Sequence, residues 1–142
     1  MVTSTGDDPP ARRAEMGEQA DYHVAAQRRR REREAVEAQA LIDAFIAQAV
    51  RVGLPTEELT ARPWSGSGRY RTGVVGWFLR RDQSIGIDTE GRFYILSVPP
   101  QRFGRWRTVS IQPIPPLLQP GQGGRDGETA SLETLLRLRL SL

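Results

Sequence analysis

Between Asp21 and Gly53 no residue interrupts a helix, and Gly53 with Pro55 close behind ends one firmly. A helix over those residues extends about 50 Å at a rise of about 1.5 Å per residue. A body of roughly 100 residues has a radius of gyration near ~13 Å, and is therefore only about 35 Å across. The helix cannot lie wholly on such a body. Its later half carries an apolar stripe, Ala38, Leu41, Phe45, Ala49 and Val52, flanked by Ile42, Ile46 and Val50. That half, from about Val36, is expected to dock. The Arg-rich stretch 21–35 is expected to project, and residues 1–20, with the Pro9–Pro10 pair and few apolar side chains, to be disordered.

Beyond the stop the pattern changes to β. Thr56 can cap a short turn carrying Glu57 and Glu58, and WSGSG at 64–68 reads as a loop. Residues 69–80, 84–88 and 92–98 are dense in aromatic and β-branched types, and Asp88–Thr89–Glu90–Gly91 suits a tight hairpin. Residues 106–112 offer a fourth strand before Pro113. Gly73 and Gly76 in the first strand suit a bulge or a close backbone approach. Residues 113–127 are rich first in Pro and then in Gly, a linker over the surface. The last segment places Leu132, Leu136 and Leu140 at helical spacing, with Thr129 or Ser131 as cap, although the alternation at 136–142 also fits a strand. The fold class is therefore α+β: a small antiparallel three- to four-stranded meander against a long N-terminal and a short C-terminal helix. Residues 36–142 form its single domain.

Composition removes several chemistries. The 142-residue chain has no Cys and one His, His23, which is read as exposed in the arm. Thiol nucleophiles and thiolate metal sites are excluded, and a serine triad would have to use that one imidazole. Gly66–Ser67–Gly68 is too short for a nucleophile elbow. Asp82, Asp88 and Glu90 read as solvated turn acids, and Trp77, Phe78, Phe93 and Tyr94 as core. The glycine-rich 121–129 matches no phosphate-binding loop, lacking both the Lys and the preceding buried strand. The sequence thus offers no catalytic, metal or cofactor constellation. There is no basic-then-apolar leader and no apolar run long enough for a membrane span, so the expectation is a soluble, cytoplasmic protein with no membrane partner.

All 20 basic residues are Arg, a usage that a GC-rich codon bias also produces. Their placement says more than their number. Residues 68–112 hold eight Arg against three acids, a local charge of +5. Arg28, Arg29, Arg30 and Arg31 head the most visible run, tempered by Arg28–Glu32 and Arg30–Glu34 spacings of four. Arg80 and Arg81 end the first strand, where a meander would bring them near Arg71 and Arg92. Arg102, Arg105 and Arg107 surround Phe103 and Trp106, a mixture suited to stacking on single-stranded nucleic acid. On a strand, however, Arg105 and Arg107 would share a face with Val109 and Ile111, pointing away from Trp106.

These residues support two readings. One is a non-catalytic interaction or adaptor protein binding another protein through the sheet or the arm. The other is a nucleic-acid-binding accessory protein using Arg28–Arg31 and the basic 69–107 region, with Trp106 or Trp64 stacking.

Overall fold

The computed structural model describes residues 10–120 and 130–141. The chain divides into two units, Met1–Arg33 and Glu34–Leu142. The first helix, α1, spans Pro10–Val52 and starts well before the expected Asp21. Pro10 is well placed at a first helical position, where its missing N–H costs no bond, and Ala, Arg, Glu, Met and Gln sustain the following turns. In the first unit every described side chain is exposed except Ala25 and Ala26, which are half-buried. Residues 1–9, part of the expected disordered tail, lie outside the described residues.

In the second unit, α1 ends as its sequence requires. Gly53 N–H donates to Val50 O and Leu54 N–H to Ala49 O, the paired bonds of a Schellman cap. The buried stripe is Ala38, Ile42, Phe45 and Ala49, while Leu41 and Ile46 are half-buried. Val50 and Val52 face solvent, so the apolar face is centred between Ile42 and Phe45, slightly rotated from the expected one.

Five strands follow: β1 Glu57–Pro63, β2 Tyr70–Phe78, β3 Ile85–Asp88, β4 Phe93–Ile95 and β5 Ser97–Val98. The sheet is mixed, ordered β4-β3-β2-β1-β5, with β1 and β5 parallel. This corrects the purely antiparallel expectation in two places. The stretch read as a capped turn at 56–58 begins β1, whose alternating burial was hidden by its short length and its Glu pair. The expected strand 92–98 is two strands joined by Leu96 alone. Strands joined by a single residue can occupy opposite edges of a sheet only if those edges meet. Leu96 shows the closure: its N–H donates to Ser84 O (2.8 Å) and its carbonyl accepts from Arg62 N–H (2.9 Å).

Alternation distributes side chains over the two faces of this rolled sheet. Leu59, Phe78, Tyr94 and Leu96 cluster on one, with Val74 and Ile111 against them. Trp77, Ile85, Ile87 and Phe93 lie on the other, packed with Ala38, Ile42, Phe45 and Ala49 of α1. Leu132 and Leu136 of α2, the helix Leu132–Leu140, complete that core. All four residues of β3 are buried, because both faces of the sheet are covered there. Both expectations for the β2 glycines hold. Gly73 has φ 72 within a bulge where β1 and β2 shift register, and a Cβ at Gly76 would clash with the backbone of Ile87.

The C-terminal periodicity resolves as helix, capped by Ser131, whose Oγ accepts from Thr134 N–H (3.2 Å). The expected surface linker is partly structural: Ile114 N–H donates to Phe93 O, and Ile114 and Leu118 pack on the core. No strand forms at 106–112. Gly104–Trp106 is a 3-10 turn and Thr108 makes a single parallel bridge to Arg71.

Candidate binding surface

Parallel strands end on the same side. Because β1 and β5 are parallel, the loops after Pro63 and Val98 leave one end of the domain together, and Trp64 N–H donates to Val98 O (2.8 Å). Pro99 and Pro100 stop β5, and the following turn is seated on Tyr70. The Tyr70 hydroxyl donates to Gln101 O (3.4 Å) and accepts from Gln101 N–H (3.1 Å). Gly104 lies flat on the same ring: a Cβ there would stand 2.7 Å from Tyr70 Cε1. Phe103 takes φ 60, a left-handed conformation unfavourable for an aromatic residue, and its ring faces solvent.

The result is apolar rings in water on two neighbouring loops. Trp64, Phe103 and Trp106 are 70%, 58% and 78% exposed, whereas Trp77 is 2% exposed. Phe103 and Trp106 stand 6.0 Å apart between centroids, tilted by 46°. The Arg102 guanidinium lies 5.2 Å over the Phe103 ring. Arg105 Nη2 donates to Ser67 O (3.2 Å) and Oγ (3.4 Å), tying the two loops together. Arg107 Nη2 donates to Gln101 Oε1 (3.4 Å). Arg105 and Arg107 are held by neutral acceptors and Arg102 by a ring, and among the described residues none of the three pairs with a carboxylate. Strand parity, which turned Arg105 and Arg107 away from Trp106, does not apply to a 3-10 turn, and the structure brings these groups onto one pole.

The sequence holds a signal for this pole that residue-by-residue reading passes over. No Asp or Glu occurs from Leu59 to Arg81 or from Gly91 to Arg125. Both pole loops fall inside these acid-free stretches.

Other arginines have different fates. Arg71 forms a bidentate pair with Glu58 (2.9 and 3.2 Å), and Arg92 engages Asp88 (2.6 Å) and Glu90 (3.0 Å). Neither joins Arg80 and Arg81 in a rim as expected. Arg80 and Arg81 flank the β2–β3 turn, with Arg80 Nε 3.9 Å from Asp82. Arg28, Arg29, Arg30 and Arg31 are exposed in the first unit. Among the described residues no ion pair joins them to Glu32 or Glu34. The α2 pair Arg137–Glu133 (3.3 Å) does form, with the acid N-terminal to the base, the better orientation.

Asp88 is a correction of another kind, because it is buried rather than a solvated turn acid. Oδ1 accepts from the N–H groups of Glu90 and Arg92, and Oδ2 from Arg92 Nε and Tyr94 OH. Burial pushes its carboxyl up, but these donors together outweigh it and hold the group below the ordinary aspartate value. Tyr94 is raised, by burial first and then by its bond to Asp88.

Among the described residues no group of His, Asp or Glu is placed to hold a metal ion, and no helix is long and apolar enough to cross a membrane. The glycine-rich 121–129 lies outside them. No family model matches the chain, no curated protein matches it, and no solved structure matches it.

Proposed function

We propose that this is a non-catalytic, cytoplasmic binding protein that takes single-stranded nucleic acid on the pole formed by Trp64, Phe103 and Trp106. The observation that carries the reading is exposed aromatic rings among Arg102, Arg105 and Arg107 with no carboxylate in either loop. Any base can stack on an exposed ring whatever its identity, and guanidinium groups not paired with a carboxylate suit the phosphates between bases. A purely apolar partner surface would leave those three charges desolvated and unpaired, which is costly. A protein partner, the other reading of the sequence, would therefore have to present acids to this pole.

Tryptophan fluorescence tests the reading on the intact chain. Trp77 is buried, so quenching on addition of an oligothymidylate reports Trp64 and Trp106. Three phosphate contacts predict a log K against log salt slope of about −2 on a single strand. Quenching with that slope supports the proposal. No quenching by the oligonucleotide, together with quenching by a poly-glutamate peptide, overturns it in favour of an acidic protein partner.

A further inference from the structure

Arginines continue past the aromatic rings, in excess over the acids beside them. Arg105 is tied to Ser67, and two residues on, Arg69 donates through Nη2 to Thr60 O (3.1 Å) and Gln83 O (3.3 Å). Its Nε engages Thr60 Oγ1, and among the described residues Nη1 has no partner. These bonds span the seam where the sheet closes, and they carry the 64–69 loop onto the β2–β3 turn. Asp82 caps that turn through Ser84 N–H (3.0 Å) and Ser84 Oγ (2.6 Å). Arg62, exposed on β1, lies close enough to repel Arg69 and attract Asp82. Past the turn, Arg80 and Arg81 line a cleft of about 660 Å³ with Arg139 of α2. Arg139 donates through Nε to Phe78 O (3.1 Å), which fixes the stem, and among the described residues its terminal nitrogens have no partner.

Five arginines thus follow one another from the pole to α2. Among the described residues Asp82 and Glu57 are the acids along that path; Asp82 Oδ1 accepts both Ser84 bonds and lies 3.9 Å from Arg80 Nε, one carboxylate among these five guanidinium groups. A guanidinium fixed by one or two bonds to carbonyls keeps its remaining N–H groups aimed outward, which suits phosphate oxygens.

We infer that this strip is a backbone track: a single strand stacked at Trp64 and Trp106 lays its phosphates along Arg62, Arg69, Arg80 and Arg81 towards the Arg139 cleft. The inference rests on the single-strand reading of the pole, and the experiment separates the two. Oligothymidylates of about 4 and about 16 nucleotides, a range that small single-strand sites cover, are titrated by tryptophan quenching. Wild type is compared with the Arg62→Ala/Arg81→Ala double variant, whose two side chains are exposed and outside the pole. Loss of two phosphate contacts lowers the salt slope for the long strand by about 1.4, which weakens it about tenfold at physiological salt and not at all near 1 M. Arg81→Ala alone should give about half that change in slope. Affinity for the short strand stays the same. If the double variant binds the long strand as wild type does, with quenching intact, the track is overturned and the pole stands. If neither strand quenches wild type, pole and track fall together.

Discussion

The two ends of the rolled sheet treat charge in opposite ways. At the β3–β4 hairpin, Asp88 is buried and all its bonds come from its own hairpin, with Arg92 returning to both Asp88 and Glu90. At the end where β1 and β5 finish, arginines hold carbonyls and amides, and aromatic rings stand in water. The first arrangement stabilises a turn and leaves nothing for a ligand. The second gives the fold little and leaves charge and apolar area exposed together. The presence of arginine alone does not separate them, since both ends carry it. What separates them is whether a carboxylate is within reach.

The comparison breaks most easily at Asp88. Asp88→Ala strands the N–H groups of Glu90 and Arg92 and the Tyr94 hydroxyl, and should destabilise the fold by about 3 kcal/mol. Its pH dependence has a definite sign. The folded-state value lies below the unfolded one, so the stabilisation is fully present above about pH 5. It is lost as pH falls from there through the folded-state value. Urea denaturation between pH 7 and pH 3 should therefore show wild type losing stability towards acid, and Asp88→Asn showing a flatter profile. Parallel profiles would mean that Asp88 is not the group held down. Oligonucleotide quenching by the folded fraction of either variant should match wild type.

How legible each end was follows from the range of its contacts. The Schellman stop at Gly53, the hairpin at 88–91 and the Leu spacing of α2 are local patterns, and each appears where its residues predict it. Closure of the sheet is not local. It depends on Leu96 bonding to Ser84 on one side and Arg62 on the other, which no periodicity within 92–98 encodes. Without closure, β1 had no partner, the parallel β1–β5 pair was invisible, and Trp64 could not be placed beside the 101–107 turn. The burial of Asp88 was missed similarly, because a turn acid reads as solvated until Tyr94 is known to face it. The candidate site residues Arg102, Arg105, Trp106 and Arg107 were found by composition, while their common orientation came only from the 3-10 turn.

Gly104→Ala sharpens the comparison from the pole side. The added methyl meets three atoms of the Tyr70 ring at 2.7–2.9 Å, and Tyr70 is held by Gln101 and packed against Ala61, Val98 and Val109. Relief requires the 101–107 turn to lift. The expected cost is about 2 kcal/mol in stability, within the range for overpacking, accompanied by loss of oligonucleotide quenching. A thermal midpoint unchanged from wild type would show that the turn accommodates the methyl and that Tyr70 is not its seat.

Trp106→Ala is the smallest structural change and isolates the pole. The side chain is 78% exposed and its one aromatic neighbour is Phe103, so stability should move by no more than about 0.5 kcal/mol. Affinity for an oligothymidylate should fall about tenfold, the loss of one stacked base, while the salt slope stays within about 0.3 of wild type because no phosphate contact has gone. Together with Asp88→Ala this forms a crossed pair: one variant loses stability and keeps binding, the other loses binding and keeps stability. If Trp106→Ala instead lowers the thermal midpoint as much as Asp88→Ala does, the pole serves the fold, and its exposed rings cease to be an argument for a ligand.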